Sequence, residues 1–154
     1  MIRILYAPPG AAPKVDLPLE ALPHLLQKGE GLLWLDFCAE PAERCEPVLR
    51  EVFDFHPLAV EDALQQTNLP KVDDWGAYLY IVVDALEYAP EQGLEQVELD
   101  IFLGRHFLVT YHDAPIPALD HTWETVLRDE RHVRDGADHL LYRLLDYLVS
   151  ECLP

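Results

Sequence analysis

Hydrophobic positions along this chain switch between a period of two and a period near 3.6, and the switches mark the elements. Ile2–Tyr6 is short, apolar and β-branched, and it runs into Pro8-Pro9-Gly10, which predicts a strand closed by a turn. Asp16 precedes Leu17, Leu19, Leu22, Leu25 and Leu26, and Gly29 follows them, the start and stop signals of a helix with Asp16 as N-cap. Residues 31–37, Gly-Leu-Leu-Trp-Leu-Asp-Phe, predict a buried strand. Glu40–Phe53 predicts a second helix, with Pro41 tolerated in its first turn. His56-Pro57 opens a short third helix to about Gln65, and Pro70 stops it.

Tyr78–Leu86 is apolar at successive positions, the pattern of a strand covered on both faces. Val97, Leu99 and Ile101 alternate with Glu98 and Asp100, which predicts a strand with one buried and one wet face. Gly104-Arg105 then fits a two-residue type II′ turn into Phe107–Tyr111. A helix is predicted from Ile116 to about His132, and Gly136 separates it from another beginning near Ala137. That last helix carries Leu140, Leu141, Leu144, Leu145, Leu148 and Val149 as a wide stripe still running at Cys152-Leu153-Pro154, so it is expected to continue in a longer protein. Interspersed strands and helices predict an α/β fold, a three-layer α/β/α sandwich on a mixed parallel/antiparallel sheet. The expected division is an α/β domain over 1–134 and the start of a further helix over 135–154.

Charge narrows the function classes. Lys plus Arg number 11 and Asp plus Glu 28, a formal net charge of −17. Such a surface repels phosphate backbones and anionic lipid headgroups, and it favours divalent cations or basic partners. The longest unbroken apolar run, Ala77 to Val83, is far short of the roughly 20 residues of a membrane helix. Three cysteines, Cys38, Cys45 and Cys152, fit a reducing compartment better than a disulfide framework.

Enzyme signatures are absent from the sequence: no Gly-rich phosphate loop, dinucleotide fingerprint or G-x-S-x-G elbow, and no grouped nucleophile and base. The chain is therefore not expected to be an enzyme. Neither the seven His nor the three Cys fall in a zinc spacing. His56, before Pro57, is suited to bonding a backbone group of the first helical turn. The acids carry more information. Asp73, Asp74, Asp84, Glu87, Glu91, Glu95, Glu98 and Asp100 form a stretch without Lys or Arg, either a solvated face or a field that concentrates hard cations. Glu61-Asp62 sits on a short helix beside Leu58, Val60 and Leu64. Neighbouring helical residues point about 100° apart, so the two cannot share one buried stripe, and one of them is expected to face a partner or a site. Asp146 likewise interrupts a Leu-rich helix.

Three stretches carry a resemblance: residues 55–62, Phe-His-Pro-Leu-Ala-Val-Glu-Asp; residues 70–75, Pro-Lys-Val-Asp-Asp-Trp; and residues 78–82, Tyr-Leu-Tyr-Ile-Val. With the run 138–149 as the beginning of a stalk helix, they resemble the N-terminal cytoplasmic domain of CorA-family magnesium transporters. The resemblance implies a cytoplasmic regulatory domain at the inner face of the cell membrane, in a homopentameric parent whose two transmembrane helices and Gly-Met-Asn pore signature lie outside these residues. It also implies weak regulatory Mg²⁺, or another divalent cation, bound where neighbouring domains meet, at positions that match Glu61, Asp62 and Asp146. Where the family often carries a further acid this chain has Ser150, with Glu151 beside it. The isolated domain is expected to be monomeric. The same domain plan in a zinc-transporting relative, and a scaffold that senses nothing, are the alternatives.

Overall fold

A computed structural model describes residues 1–152, without the side chains of 87–89 and 152. The expected helix ending over Leu153 and Pro154 thus lies outside the described residues. Seven strands form one mixed sheet: β1 (Ile2–Ala7), β2 (Lys14–Val15), β3 (Leu32–Cys38), β4 (Lys71–Asp74), β5 (Tyr78–Ala89), β6 (Gly93–Gly104) and β7 (Phe107–His112), in the order β2-β1-β3-β7-β6-β5-β4. β3 and β7 are parallel, with Leu33 opposite Phe107 and Cys38 opposite His112, and the remaining pairs are antiparallel. Helices α1 (Leu22–Gln27), α2 (Ala42–Pro47) and α3 (Pro57–Gln65) cover one face. α4 (Pro117–Arg128), α5 (Arg131–Arg134) and α6 (Ala137–Cys152) cover the other.

Strand alternation divides the core in two. Leu33, Leu35, Phe37, Tyr80, Val82, Phe102 and Val109 point toward the α1–α3 layer, joined by Phe55, Val60 and Leu49. Leu32, Trp34, Ile81, Leu99, Ile101 and Leu108 point toward α4 and α6, joined by Trp123, Leu140 and Leu144. This is the expected three-layer sandwich.

Several local expectations are corrected. Asp16 is not a cap: it adopts φ 63°, and α1 begins only after a 3₁₀ turn at Leu19–Ala21. The predicted helix over Glu40–Phe53 is α2 followed by a π-helical turn, Val48–Val52. Pro47, which has no N–H to donate, lies at the junction. The helix expected over 116–132 breaks at Asp129, which is extended (φ −142°, ψ 100°). The β6–β7 connection is Arg105-His106 rather than Gly104-Arg105. Gly104 ends β6 without a positive φ, and a Cβ there would meet the Phe107 ring at 2.3 Å, so this position needs glycine for room, not for turn geometry. The wet face expected on β6 also fails: Asp100 is 0% exposed, because the residues after α3 close over it.

Candidate functional site

The start of α3 is fixed by the residues that gave the sequence its signature. Pro57 fills the first helical position, where a missing N–H costs nothing, and His56 Nδ1 accepts the Leu58 N–H at 3.1 Å. The His56 ring stacks on Trp75 at 4.4 Å, and its backbone N–H donates to the Tyr78 hydroxyl at 2.8 Å. Phe55 stacks on Phe102 at 4.2 Å. This part of the motif therefore anchors the helix. Ala59, Val60 and Ala63 face the sheet, which turns Glu61 and Asp62 outward.

The two acids diverge. Asp62 Oδ2 lies 2.8 Å from Lys71 Nζ, and the same ammonium lies 3.0 Å from Asp73 Oδ2. The Asp62 hydrogen bond outweighs partial burial and, with Asp73, raises the Lys71 pKa, so the ammonium stays charged between two half-exposed carboxylates. Glu61 accepts a bond from Gln65 Nε2 at 3.3 Å and lines a cleft of 420 Å³ between α2 and α3, together with Glu46 and Arg50.

Beneath Asp62 lies a buried carboxyl group not expected from the alternation on β6. Gln66, left-handed at the end of α3 (φ 54°), donates from Nε2 to Asp100 Oδ1 at 3.0 Å. The Tyr80 hydroxyl donates to Asp100 Oδ2. Asn68 donates its backbone N–H to Glu98 at 2.8 Å and its side-chain amide to the Asp62 carbonyl at 2.6 Å. Burial, reinforced by the hydrogen-bonded Glu98 carboxyl beside it, pushes the Asp100 pKa up to about 9 against the opposing pull of the Tyr80 hydroxyl. At neutral pH Asp100 is a carboxylic acid. The bonds from Gln66 to Asp100 and from Asn68 to Glu98 tie the loop between α3 and β4 to β6.

Asp146 is exposed on α6, flanked by exposed Tyr142 and Val149. Because α3 and α6 cover opposite faces of the sheet, one chain does not bring Asp146 to Glu61 and Asp62. Among the described residues no three His, Cys, Asp or Glu side chains converge as a ligand set for a metal ion.

A second ionic cluster lies mid-sheet, at positions that no motif or spacing in the sequence brings together. Asp36, 0% exposed, accepts from Thr110 Oγ1 and His112 Nε2 at 2.7 Å each and from Arg3 Nη2 at 2.8 Å. Its signal was a lone acid inside an otherwise apolar strand, which requires a buried partner.

The model of the family described as "CorA-like Mg2+ transporter protein" matches residues 29–154. The chain belongs to the CorA family. Among its curated relatives, YfjQ of Bacillus subtilis (strain 168), named as a candidate metal ion transporter, is 36% identical over 139 residues, 90% of this chain and 41% of its own length. The magnesium transporter ALR1 of Saccharomyces cerevisiae is 27% identical over 133 residues, 85% of this chain and 15% of its own. The soluble domain of CorA from Methanocaldococcus jannaschii superposes with a TM-score of 0.71 at 18% identity, over 96% of this chain and 56% of that one. The chain thus spans less than half the length of the curated relatives it matches, and the part it represents has the CorA soluble-domain fold. No described helix is long and apolar enough to cross a membrane. The family is one of transporters.

Proposed function

We propose that this chain is the regulatory domain of a CorA-type divalent-cation transporter, on the cytoplasmic face of the membrane, and that it senses Mg²⁺ at contacts between copies in a homopentamer. In this reading residues 1–134 form the sensing head and 135–154 begin the stalk. The observation that carries it is the outward placement of Glu61 and Asp62 on one layer and of Asp146 on the other. Carboxylates on opposite layers of one chain meet only between neighbours. Mg²⁺ demands six oxygens and keeps several waters, so one or two carboxylates from each neighbour make a weak site. Without the ion the acidic heads repel; with it they are bridged, and the ion shifts the assembly only by its preference for the bridged state.

Thermal unfolding at high protein concentration, with KCl matching the ionic strength of millimolar MgCl₂, tests this. At Mg²⁺ tenfold above its Kd the gain is about 1.4 kcal/mol, which for a domain of this size raises Tm by roughly 3–6 °C. Asp62→Ala and Asp146→Ala are each expected to lose most of that rise. An equal rise in both variants and the parent chain, or none in any, contradicts the assignment.

A further inference from the structure

His112 ends β7 and is 1% exposed. Its Nδ1 lies 2.7 Å from the carbonyl oxygen of Ala114, and its Nε2 lies 2.7 Å from Asp36 Oδ1. Both partners can only accept, so both ring nitrogens must carry protons, and the ring is an imidazolium. The charged groups that face it are Asp36 from β3 and Arg3 from β1. Behind Arg3, Asp120 of α4 is bonded to the guanidinium at 3.0 Å, and the guanidinium lies over the Trp123 ring at 4.8 Å. Asp113 and the Met1 amino group with its partner Glu40 lie at the same end of the sheet. Arg3 on one Asp36 oxygen and Thr110 on the other keep that carboxylate ionised. One carboxylate thus joins three strands of the sheet to two parts of the overlying layer: the connector 113–116 through His112, and α4 through Arg3.

We propose that His112 is a proton-operated latch that holds the β7–α4 connector to the centre of the sheet when protonated and releases it when it loses its charge. A neutral imidazole has a single N–H. The carboxylate is the stronger acceptor, so Nε2 keeps its proton for Asp36 and Nδ1 turns a lone pair toward the Ala114 oxygen. That contact becomes repulsive, and the connector and first turn of α4 lose their polar anchor. The signal reaches beyond α4, whose His121 ring meets Tyr147 of α6 edge-on at 4.3 Å. Burial resists charging His112, yet the Asp36 carboxylate outweighs it and the Ala114 carbonyl adds to it, so the pKa stands above the ordinary 6.5. A raised histidine pKa contributes stability that is complete below pH 6.5 and fades as pH rises through the folded value. Release therefore follows a rise in pH through the folded value.

Nitrogen-15 NMR of the His112 ring, paired with hydrogen exchange of the segment 113–120 corrected for intrinsic rates, tests the latch on the complete chain. Both His112 nitrogens are expected at imidazolium shifts at pH 7, titrating above pH 6.5. Protection of 113–120 should fall roughly tenfold across that titration, the size of one lost charge-assisted hydrogen bond. In His112→Gln the same segment should show low protection that no longer follows the titration. An unprotonated ring nitrogen at pH 7, or protection that stays level through the wild-type titration, overturns the proposal. The wild-type measurements decide it alone if the variant does not fold.

Discussion

Asp100→Asn is expected to stabilise the domain at pH 7 by about 2–4 kcal/mol. Asp100 is fully buried and its pKa lies near 9, against 3.8 when solvated. Because the folded value is the higher one, the group favours the folded state only in acid, and stability drains away as pH rises from 3.8 toward 9. Each of those units is worth about 1.4 kcal/mol, which sets an upper bound of about 4 kcal/mol at neutrality. Asparagine keeps the shape and stays neutral without a proton to retain: its carbonyl oxygen in the place of Oδ1 accepts from Gln66, and its amide in the place of Oδ2 donates to the Tyr80 hydroxyl oxygen, reversing that bond. Urea unfolding of both proteins between pH 4 and pH 8 measures this. The gap should be close to zero at pH 4 and widen with pH. A variant less stable than wild type at pH 7, or a constant gap, would show that Asp100 is ionised in the fold.

Asp36→Ala should do the opposite and cost about 3–5 kcal/mol, the usual penalty for stranding buried charge. Removing this carboxylate leaves Arg3 and His112 facing each other with no anion between them, and it orphans the Thr110 hydroxyl. Burial alone would lift the Asp36 pKa, but His112, Arg3 and Thr110 together hold it below the ordinary 3.8. The ionised form is thus favoured by folding, and its contribution persists above pH 3.8 and disappears on acidification below it. The urea midpoint of Asp36→Ala at pH 6, with an unchanged denaturant slope, reads the loss directly. A penalty under about 1 kcal/mol would mean that Arg3 and His112 find other partners.

These two buried acids also mark where local pattern stops being informative. The sandwich and its mixed sheet followed from periodicity, since Leu32–Cys38 and Tyr80, Ile81, Val82 and Ala85 of β5 are buried between layers and Leu140, Leu144 and Leu148 face the sheet. His56 as a cap followed from its place before Pro57. Elsewhere tertiary closure overrode local pattern. Glu98 and Asp100 read as a solvent-facing row because nothing local shows that residues 66–68 fold back over them. Two-residue β2 and four-residue β4 are too short to carry a period, and β4 takes its place by pairing with β5. Arg3, Asp36 and His112 are separated by more than thirty residues at each step, a distance over which spacing carries no signal. Glu61, Asp62 and Asp146 were legible as acids beside apolar stripes, but a site that needs two copies leaves no geometric trace in one.

Mn²⁺ offers the most direct look at that site, because it binds the same oxygen ligands as Mg²⁺ and broadens nearby amide resonances. Substoichiometric Mn²⁺ added to the ¹⁵N-labelled chain should weaken two patches together, one around residues 61–62 and one around residue 146. The loss at both should grow with protein concentration and be reversed by excess Mg²⁺. Broadening centred elsewhere, or uniform loss across all exposed acids, would contradict a cation shared between copies.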